Sequence, residues 1–541
     1  MFKTHGKLIR NLFFFTVLIF LCWIYSYSEI LHLRPRSIHQ FRQSDCLSLT
    51  DNYYNGNWNL FEPSLNLQFS DHLTSGKSAG EFPLLYYFVA MLWKIFGKHE
   101  IIFRLVTIGI AFAGMFALYK LAYAILKDYF WAVASVVLLF SSPVFVFYSN
   151  NFLVNVPAFS LMLIALYYFY LFWQHGKNKH FYVCMGLYLL AGLFKVSSLL
   201  SFVVIGAVYL ADITRLIRFK REGYIFNEPL KQFFPFAIVV SGVVAWYMYA
   251  NHYGVVHGGN YTFNGTESYW AMTAEQHNGA YYSVKNFLLY QIYSVSAFVY
   301  LATCFVVLLI NFKKVALIWR IVIPLLMIGY FIFIMLFFYA LNFHDYYHID
   351  FLIIPIVINL AFLRYMALNE IFVFKSPAVK IIFSVFLFYN VLYCGNNIRM
   401  RYFPVTEKNK EYRQLFAPKA DMDYWGWCAW AYPYGSYERV TPVLRSMGIK
   451  RDDIFLCPND QSFSILLYLI DQKGFPNLCE WMKDSASVST RIQAGAKYMI
   501  VNDTAILATP PFKPFVSHEI KRFENLRIYD LQPYQIRNKR E

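Results

Sequence analysis

NLFFFTVLIFLCWIYSYSE, residues 11–29, carries a single charge, at its last position, and shortly afterwards the chain reads HQFRQSD (39–45). An apolar stretch of that length crosses the hydrocarbon of a bilayer as a helix. Arg42 and Asp45 therefore stand within a few residues of lipid, where charge is costly and marks a functional candidate. The aromatic and polar run NYYNGNWNLFEP (52–63) follows at once.

The rest of the chain has the same character. Of 541 residues 58% are hydrophobic, 21% aromatic and only 15% charged. A soluble domain could not hide that much apolar surface, so lipid is the solvent for most of it. The net charge of +16 raises a nucleic-acid reading. That function needs cations gathered on one face. Here they sit in short clusters between apolar runs, as topology signals and contacts to anionic head groups, and nucleic acid is excluded as a partner.

Spans are expected over 11–29, 101–124, 130–149, 152–173, 181–196, 198–216, 233–250, 287–310, 320–341, 349–367 and 379–396, about eleven in all. With those spans alternating, MFKTHGKLIR, QHGKNKH, TRLIRFKREGY, NFKK and the stretch KSPAVK share one side, which the positive-inside rule makes cytoplasmic. The first run lacks a small-residue cleavage pattern and reads as an anchor. The loop over residues 30–100, the loop from Asn251 to Asn286, the HDYYH turn and the tail then lie on the outer side. Two domains are expected: 1–398 in the membrane and 399–541 outside it, a small α/β domain announced by RDDIFLCPND, SILLYLIDQKGF and AGAKYMIVND. No tandem repeat is evident.

Eight cysteines show no metal-like spacing. A disulfide between Cys457 and Cys479 is one possibility in an oxidising compartment. No P-loop, Rossmann glycine pattern or zinc cluster is present, so neither a soluble nucleotide nor a metal is called for.

Within LTSGKSAGEFPLLYYFVAMLWKIFG (73–97) the aromatic-rich part is short for a span and suits a helix lying along the interface. With Asp45 it would form a polar pocket roofed by aromatic rings. Arg104 at the second span, Asn150, Asn151 and Asn155 before the fourth, Lys195 at the end of the fifth, and His344 to His348 before the tenth share that edge. One carboxylate there can act as general base on an acceptor hydroxyl while cations stabilise a departing phosphate. A sugar joined to a long lipid through phosphate would be the donor.

The words FRQSD (41–45), NYYNGNWNLFEP, GEFPLLYY (80–87), FRL (103–105), LFK (193–195), HDYYHIDFLIIP (344–355), LLYLIDQKGF and AGAKYMIV, in this order and spacing, resemble the C-fold (GT-C) integral membrane glycosyltransferases. The subset related to protein O-mannosyltransferases and lipid A aminoarabinose transferases is most similar. The resemblance implies an α-helical polytopic membrane fold with interfacial helices, a polyprenyl-phosphate sugar as donor, inversion at the anomeric carbon, and a first-loop aspartate, matched by Asp45, as catalytic base. Donor phosphate and lipid would be held by Arg42, Arg104, Lys195, His344, Tyr346 and Tyr347. Trp58, Glu81, Tyr86, Asn151, Asn155 and Asp345 would line the sugar or acceptor pocket, with Trp93 as a further stacking ring. The acceptor would be a glycan, a lipid or a protein, and the membrane a bacterial inner membrane with the site on its periplasmic side.

Three positions depart from the pattern. Cys46 stands where many members have Glu, Asn155 replaces an acidic residue, and no basic residue flanks Pro83. The first two remove the charge a divalent metal would need. A flippase of lipid-linked sugars is the alternative, and it predicts broken helices and internal symmetry. An inactive relative is another, against which the intact Asp45 argues. In the tail, Asp421, Asp423 and YWGWCAWAYPYGSY (424–437) suit either a carbohydrate subsite or an aromatic apron on the interface. The sequons at Asn260, Asn264 and Asn502 matter only in a secretory compartment.

Overall fold

The computed structural model describes residues 2–56, 58–219, 223–259, 267–342, 344–403 and 434–537. Asp421, Asp423, most of the aromatic run after them and the sequons at Asn260 and Asn264 lie outside the described residues. By contact the chain divides into two units. One, mainly helical, comprises Met1–His32, Phe103–Ala245 and Gly265–Ala429; the other, of mixed structure, comprises Leu33–Ile102, Trp246–Asn264 and Trp430–Glu541.

Every one of the expected apolar segments carries helix. Among the described residues, seven helices, Glu100–Leu126, Asn155–His175, Val196–Ile213, Pro229–Val256, Leu317–Leu336, Asp345–Asn369 and Pro377–Tyr402, are long and apolar enough to cross a membrane. The apolar helix Leu8–Ile24 and the helix Asn178–Phe194 are shorter. The protein is a multi-pass integral membrane protein.

Two segments expected to be continuous are broken. Tyr129–Leu139 and Pro143–Ser149 meet at 79°, and Ala274–Ile292 and Val295–Ile310 at 85°. Pro143 has no N–H to return to the Leu139 carbonyl, and Ser142 and Ser294 sit where new helices start. Backbone freed at such a break needs a partner in place of water. Here side-chain hydroxyls supply it: Tyr25 donates to the Phe140 carbonyl at 2.5 Å and Ser142 to the Ile292 carbonyl at 2.6 Å. Close helix contact elsewhere in the unit depends on small residues. A Cβ on Gly114 would fall 2.6 Å from the Cβ of Ser160.

The mixed unit is built on a five-stranded sheet: β1 (Ile454–Cys457), β2 (Lys473–Pro476), β3 (Ala496–Val501), β4 (Glu519–Phe523) and β5 (Leu526–Asp530), in the order β2-β1-β3-β5-β4. β1 pairs in parallel with β2 and β3, linked through the helices Ile465–Leu469 and Ser485–Gln493, which is the expected β-α-β rhythm. β4 and β5 form an antiparallel hairpin. Leu456, Phe475, Val488, Ile492, Met499 and Tyr529 make its core, and Phe69 and Leu73 from the loop after the first span pack against it.

That loop also extends the sheet. Leu67 bridges Gly474 in parallel, with the Gln68 N–H donating to the Gly474 carbonyl at 2.9 Å and the Gly474 N–H to the Asn66 carbonyl at 3.0 Å. Only glycine fits there, because a Cβ on residue 474 would sit 2.1 Å from the Phe455 carbonyl oxygen.

The helix Gln40–Asn55 is tied to the same sheet by charge. Asp51 is fully buried and takes Lys98 at 2.6 Å and Arg451 at 2.8 Å, one on each oxygen. Asp471 receives Lys98 at 2.8 Å and Arg445 at 2.9 Å. A buried carboxylate is tolerable only when paired in this way. Cys457 is buried, Cys479 is exposed, and both are free thiols, so the possible disulfide does not form.

Candidate active site

Asp45 lies on the helix Gln40–Asn55, whose spacing turns Arg42, Asp45 and Cys46 toward one side. It is fully buried, and neither of its carboxyl oxygens accepts a hydrogen bond from a described residue. Arg42 is engaged nearby: its Nη2 lies 2.5 Å and 2.6 Å from the two oxygens of Glu81. The Tyr86 hydroxyl donates to Glu81 at 2.6 Å and sits 3.3 Å from Cys46 Sγ. Glu81 reaches these partners from the turn that Pro83 closes before the helix Leu84–Phe96.

The electrostatics follow from that geometry. Burial pushes the Asp45 carboxyl up to about 8; Arg42 pulls it down, while the charges of Glu81 and Asp460 push it further up. The nearby Ser464 hydroxyl lowers it slightly. At Glu81 burial also acts upward, but the Arg42 charge and the Tyr86 hydrogen bond outweigh it and hold the group below the ordinary range. Two carboxylates of one neighbourhood are thus driven apart, one kept ionised and one made strongly basic.

Asp460 is a contribution from the tail that sequence reasoning did not supply. It accepts from Ser462 N–H at 3.0 Å, Ser462 Oγ at 2.6 Å and Leu466 N–H at 2.9 Å, and burial raises it to about 6. The PNDQS turn at residues 458–462 was the only available signal, and it reads as an ordinary helix start.

The aromatic candidates differ in access. Trp58 is 42% exposed, packs edge-on to Tyr87 at 5.6 Å and has Lys94 Nζ 5.6 Å from its ring. Trp93 is fully buried and gives its indole N–H to the His99 carbonyl at 2.8 Å, which makes it a packing residue and not a stacking surface. Tyr86 is equally buried, its hydroxyl committed to Glu81.

The remaining candidates belong to the helical unit. Lys195 Nζ stands 4.3 Å above the Tyr347 ring and 5.9 Å from that of Tyr346, and these two rings stack at 4.6 Å. The His344 ring is 5.9 Å from Tyr346, with Nδ1 held 2.7 Å from the Asn342 carbonyl. Asn155 donates to the Tyr346 carbonyl at 3.2 Å. Asp345 is buried, accepts from Tyr148 at 2.7 Å and lies 3.3 Å from Arg401, a partner the sequence did not suggest. Asn151 accepts from the Phe152 N–H at 2.7 Å. Arg104 is buried, donates to the Asn150 carbonyl and covers the Phe152 ring at 4.2 Å. Of the expected set, Asp45, Arg42, Glu81 and Tyr86 therefore come together in one unit, and Lys195, His344, Tyr346, Tyr347 and Asn155 in the other.

Among the described residues, no group of three or more His, Cys, Asp or Glu side chains is placed to hold a metal ion.

Residues 79–249 match the family model described as dolichyl-phosphate-mannose-protein mannosyltransferase. No curated protein sequence matches the chain. Among solved structures, the crystal structure of ArnT from Cupriavidus metallidurans in the apo state is similar at a TM-score of 0.53 and 12% identity, over 98% of both chains. The same protein bound to undecaprenyl phosphate gives 0.51 and 12%, over 96% of this chain and 98% of that one. At such identity the likeness concerns the fold alone.

Proposed function

We propose that this protein is an inverting glycosyltransferase that moves a sugar from a polyprenyl-phosphate donor to a hydroxyl of a glycan, lipid or protein acceptor on the outer face of the membrane. The observation that carries the reading is Asp45: a buried carboxyl whose oxygens find no hydrogen-bond partner within bonding geometry among the described residues, made basic by its surroundings, beside an arginine occupied by a second carboxylate. A group of this kind is suited to accept a proton, and it has no evident structural use. The family match over 79–249 and the shared fold support the reading, as does the undecaprenyl phosphate bound by the similar ArnT structure.

In the proposed reaction the acceptor oxygen gives its proton to Asp45 and attacks the anomeric carbon. The bond from that carbon to the phosphate oxygen breaks, and polyprenyl phosphate leaves with the electron pair. A departing phosphate needs positive charge, and in the helical unit Lys195, set over Tyr346 and Tyr347, and Arg104 are the residues proposed to bind donor phosphate. Trp58 offers an accessible ring face to a sugar.

The two broken helices are also what a flippase would have. Incubation of the purified protein with a panel of polyprenyl-phosphate sugars, with release of free polyprenyl phosphate as the readout, separates the two. Turnover by the wild type, lost in Asp45→Asn while donor binding persists, supports transfer. Lipid translocation that survives Asp45→Asn, with no release from any donor, overturns it.

A further inference from the structure

The hairpin of Val295–Ile310 and Leu317–Leu336 has a feature the transfer chemistry does not use. A crevice of about 280 Å³ opens between the two helices, lined by carbon from Phe305, Leu309, Trp319, Ile323 and Met327, with Arg320 at its margin. The Arg320 guanidinium lies 5.3 Å from the centre of the Phe312 ring, and its Nε is buried without a hydrogen-bond partner among the described residues. Pro324, inside the helix, has no N–H to return to the Arg320 carbonyl one turn earlier. Lys313 and Lys314 stand exposed in the connecting turn. No aspartate or glutamate occurs between Glu275 and Asp345 in the sequence, and none of these three cations pairs with a carboxylate among the described residues.

A buried guanidinium N–H without an acceptor costs free energy that a bound anion would return as a charge-assisted hydrogen bond. The apolar walls beside it exclude a freely soluble anion and suit a hydrocarbon chain. We propose that the crevice is a binding site for an anionic phospholipid, with an acyl chain between the helices and the phosphate on Arg320, Lys313 and Lys314. The lipid is a glycerophospholipid of the surrounding bilayer, and the site is independent of the transfer reaction.

The test uses the full chain in nanodiscs of equal phosphatidylglycerol and phosphatidylcholine with matched chains, followed by native mass spectrometry of the lipid that stays bound after detergent release. Three cations near a membrane surface lead to an expected preference for phosphatidylglycerol of about tenfold or more. Arg320→Gln should bring the ratio close to one. Lys313→Gln with Lys314→Gln, which alters only exposed side chains, should lower it about threefold. Ile323→Trp fills the crevice without changing charge and should release the lipid altogether. Equal retention of the two lipids by the wild type overturns the proposal, as does a preference left intact by both charge variants. Replacement of phosphatidylglycerol by added polyprenyl phosphate at this position would assign the site to the donor lipid and overturn it as well.

Discussion

Arg42 places one guanidinium nitrogen 2.5 Å and 2.6 Å from the two oxygens of Glu81, while Asp45, one turn further along the same helix, accepts no hydrogen bond from any described residue. The arginine that could have neutralised the candidate base is thereby held by another acid. Glu81→Gln removes a like charge near Asp45 and weakens the hold on Arg42. Both changes favour the ionised form of Asp45. In the wild type kcat/KM should rise with pH through about 8, and in Glu81→Gln that midpoint should move to lower pH by about one unit or more. A pH–rate profile whose midpoint stays put refutes the coupling.

Asp45→Asn separates chemistry from stability. Loss of a general base lowers turnover by about 10² to 10⁴. The Asp45 carboxyl is raised in the fold from its ordinary 3.8 to about 8, so the folded state holds a proton that the unfolded chain releases. Its contribution to stability is therefore full below pH 3.8 and is lost as pH rises to about 8. Asparagine carries no charge at any pH. The variant should melt above the wild type at pH 9, by an amount on the order of a few kcal/mol at most, and the gap should close towards pH 4. Thermal unfolding of the detergent-solubilised protein at the two pH values checks the sign.

Arg451→Met tests the charge network beneath the candidate base. It leaves the buried Asp51 with Lys98 and the neutral Asn55 amide and strips a partner from Asp471. Breaking a buried pair from one side costs about 3–5 kcal/mol. The exposed pair Arg439–Glu524 gives a control, since solvent screens it and Arg439→Ala should leave the melting temperature nearly unchanged. Equal effects of the two substitutions would show that Asp51 is not held as described.

Gly474→Ala forces a methyl group against the Phe455 carbonyl and detaches the loop strand at Leu67. Overpacking of this kind costs about 1–3 kcal/mol. Limited proteolysis should then cut within residues 64–77 at least tenfold faster than in the wild type, a factor that 1.4 kcal/mol already gives. A cleavage rate unchanged by the substitution would contradict the pairing of Leu67 with the sheet.

Lys195→Met should weaken use of the donor about tenfold or more while leaving the chain folded, because the lysine makes ring contacts with Tyr346 and Tyr347 and the buried Asp350, on which its charge also acts, keeps the hydroxyls of Ser197 and Ser198. Lys195→Arg, which can still cover a ring and meet a phosphate, should recover most of the loss. Kinetics at varied donor concentration distinguish the two.

The apolar runs could be read directly because a chain in lipid must satisfy its backbone hydrogen bonds within itself, and a helix does so from local sequence alone. The same logic did not reveal the breaks before Pro143 and Val295. Their carbonyls are answered by Tyr25 and Ser142, whose positions depend on how helices pack. In the tail, strand and helix rhythm was visible in RDDIFLCPND and AGAKYMIVND. The partner of that sheet's free edge was not, since Leu67 and Gly474 are separated by most of the chain.

The candidate site divides along the same line. Sequence alone determined that this is a membrane protein of many helices and that a carboxylate, Asp45, stands just beyond the first of them, because hydrophobic length and the cost of charge near lipid are properties of short stretches. Only tertiary structure decided that Glu81 would occupy Arg42, that Asp460 would lie near Asp45, and that Asp51 would be clamped by Lys98 and Arg451. Those choices depend on distances of a few ångströms between residues far apart in the chain, and the folded packing alone sets such distances.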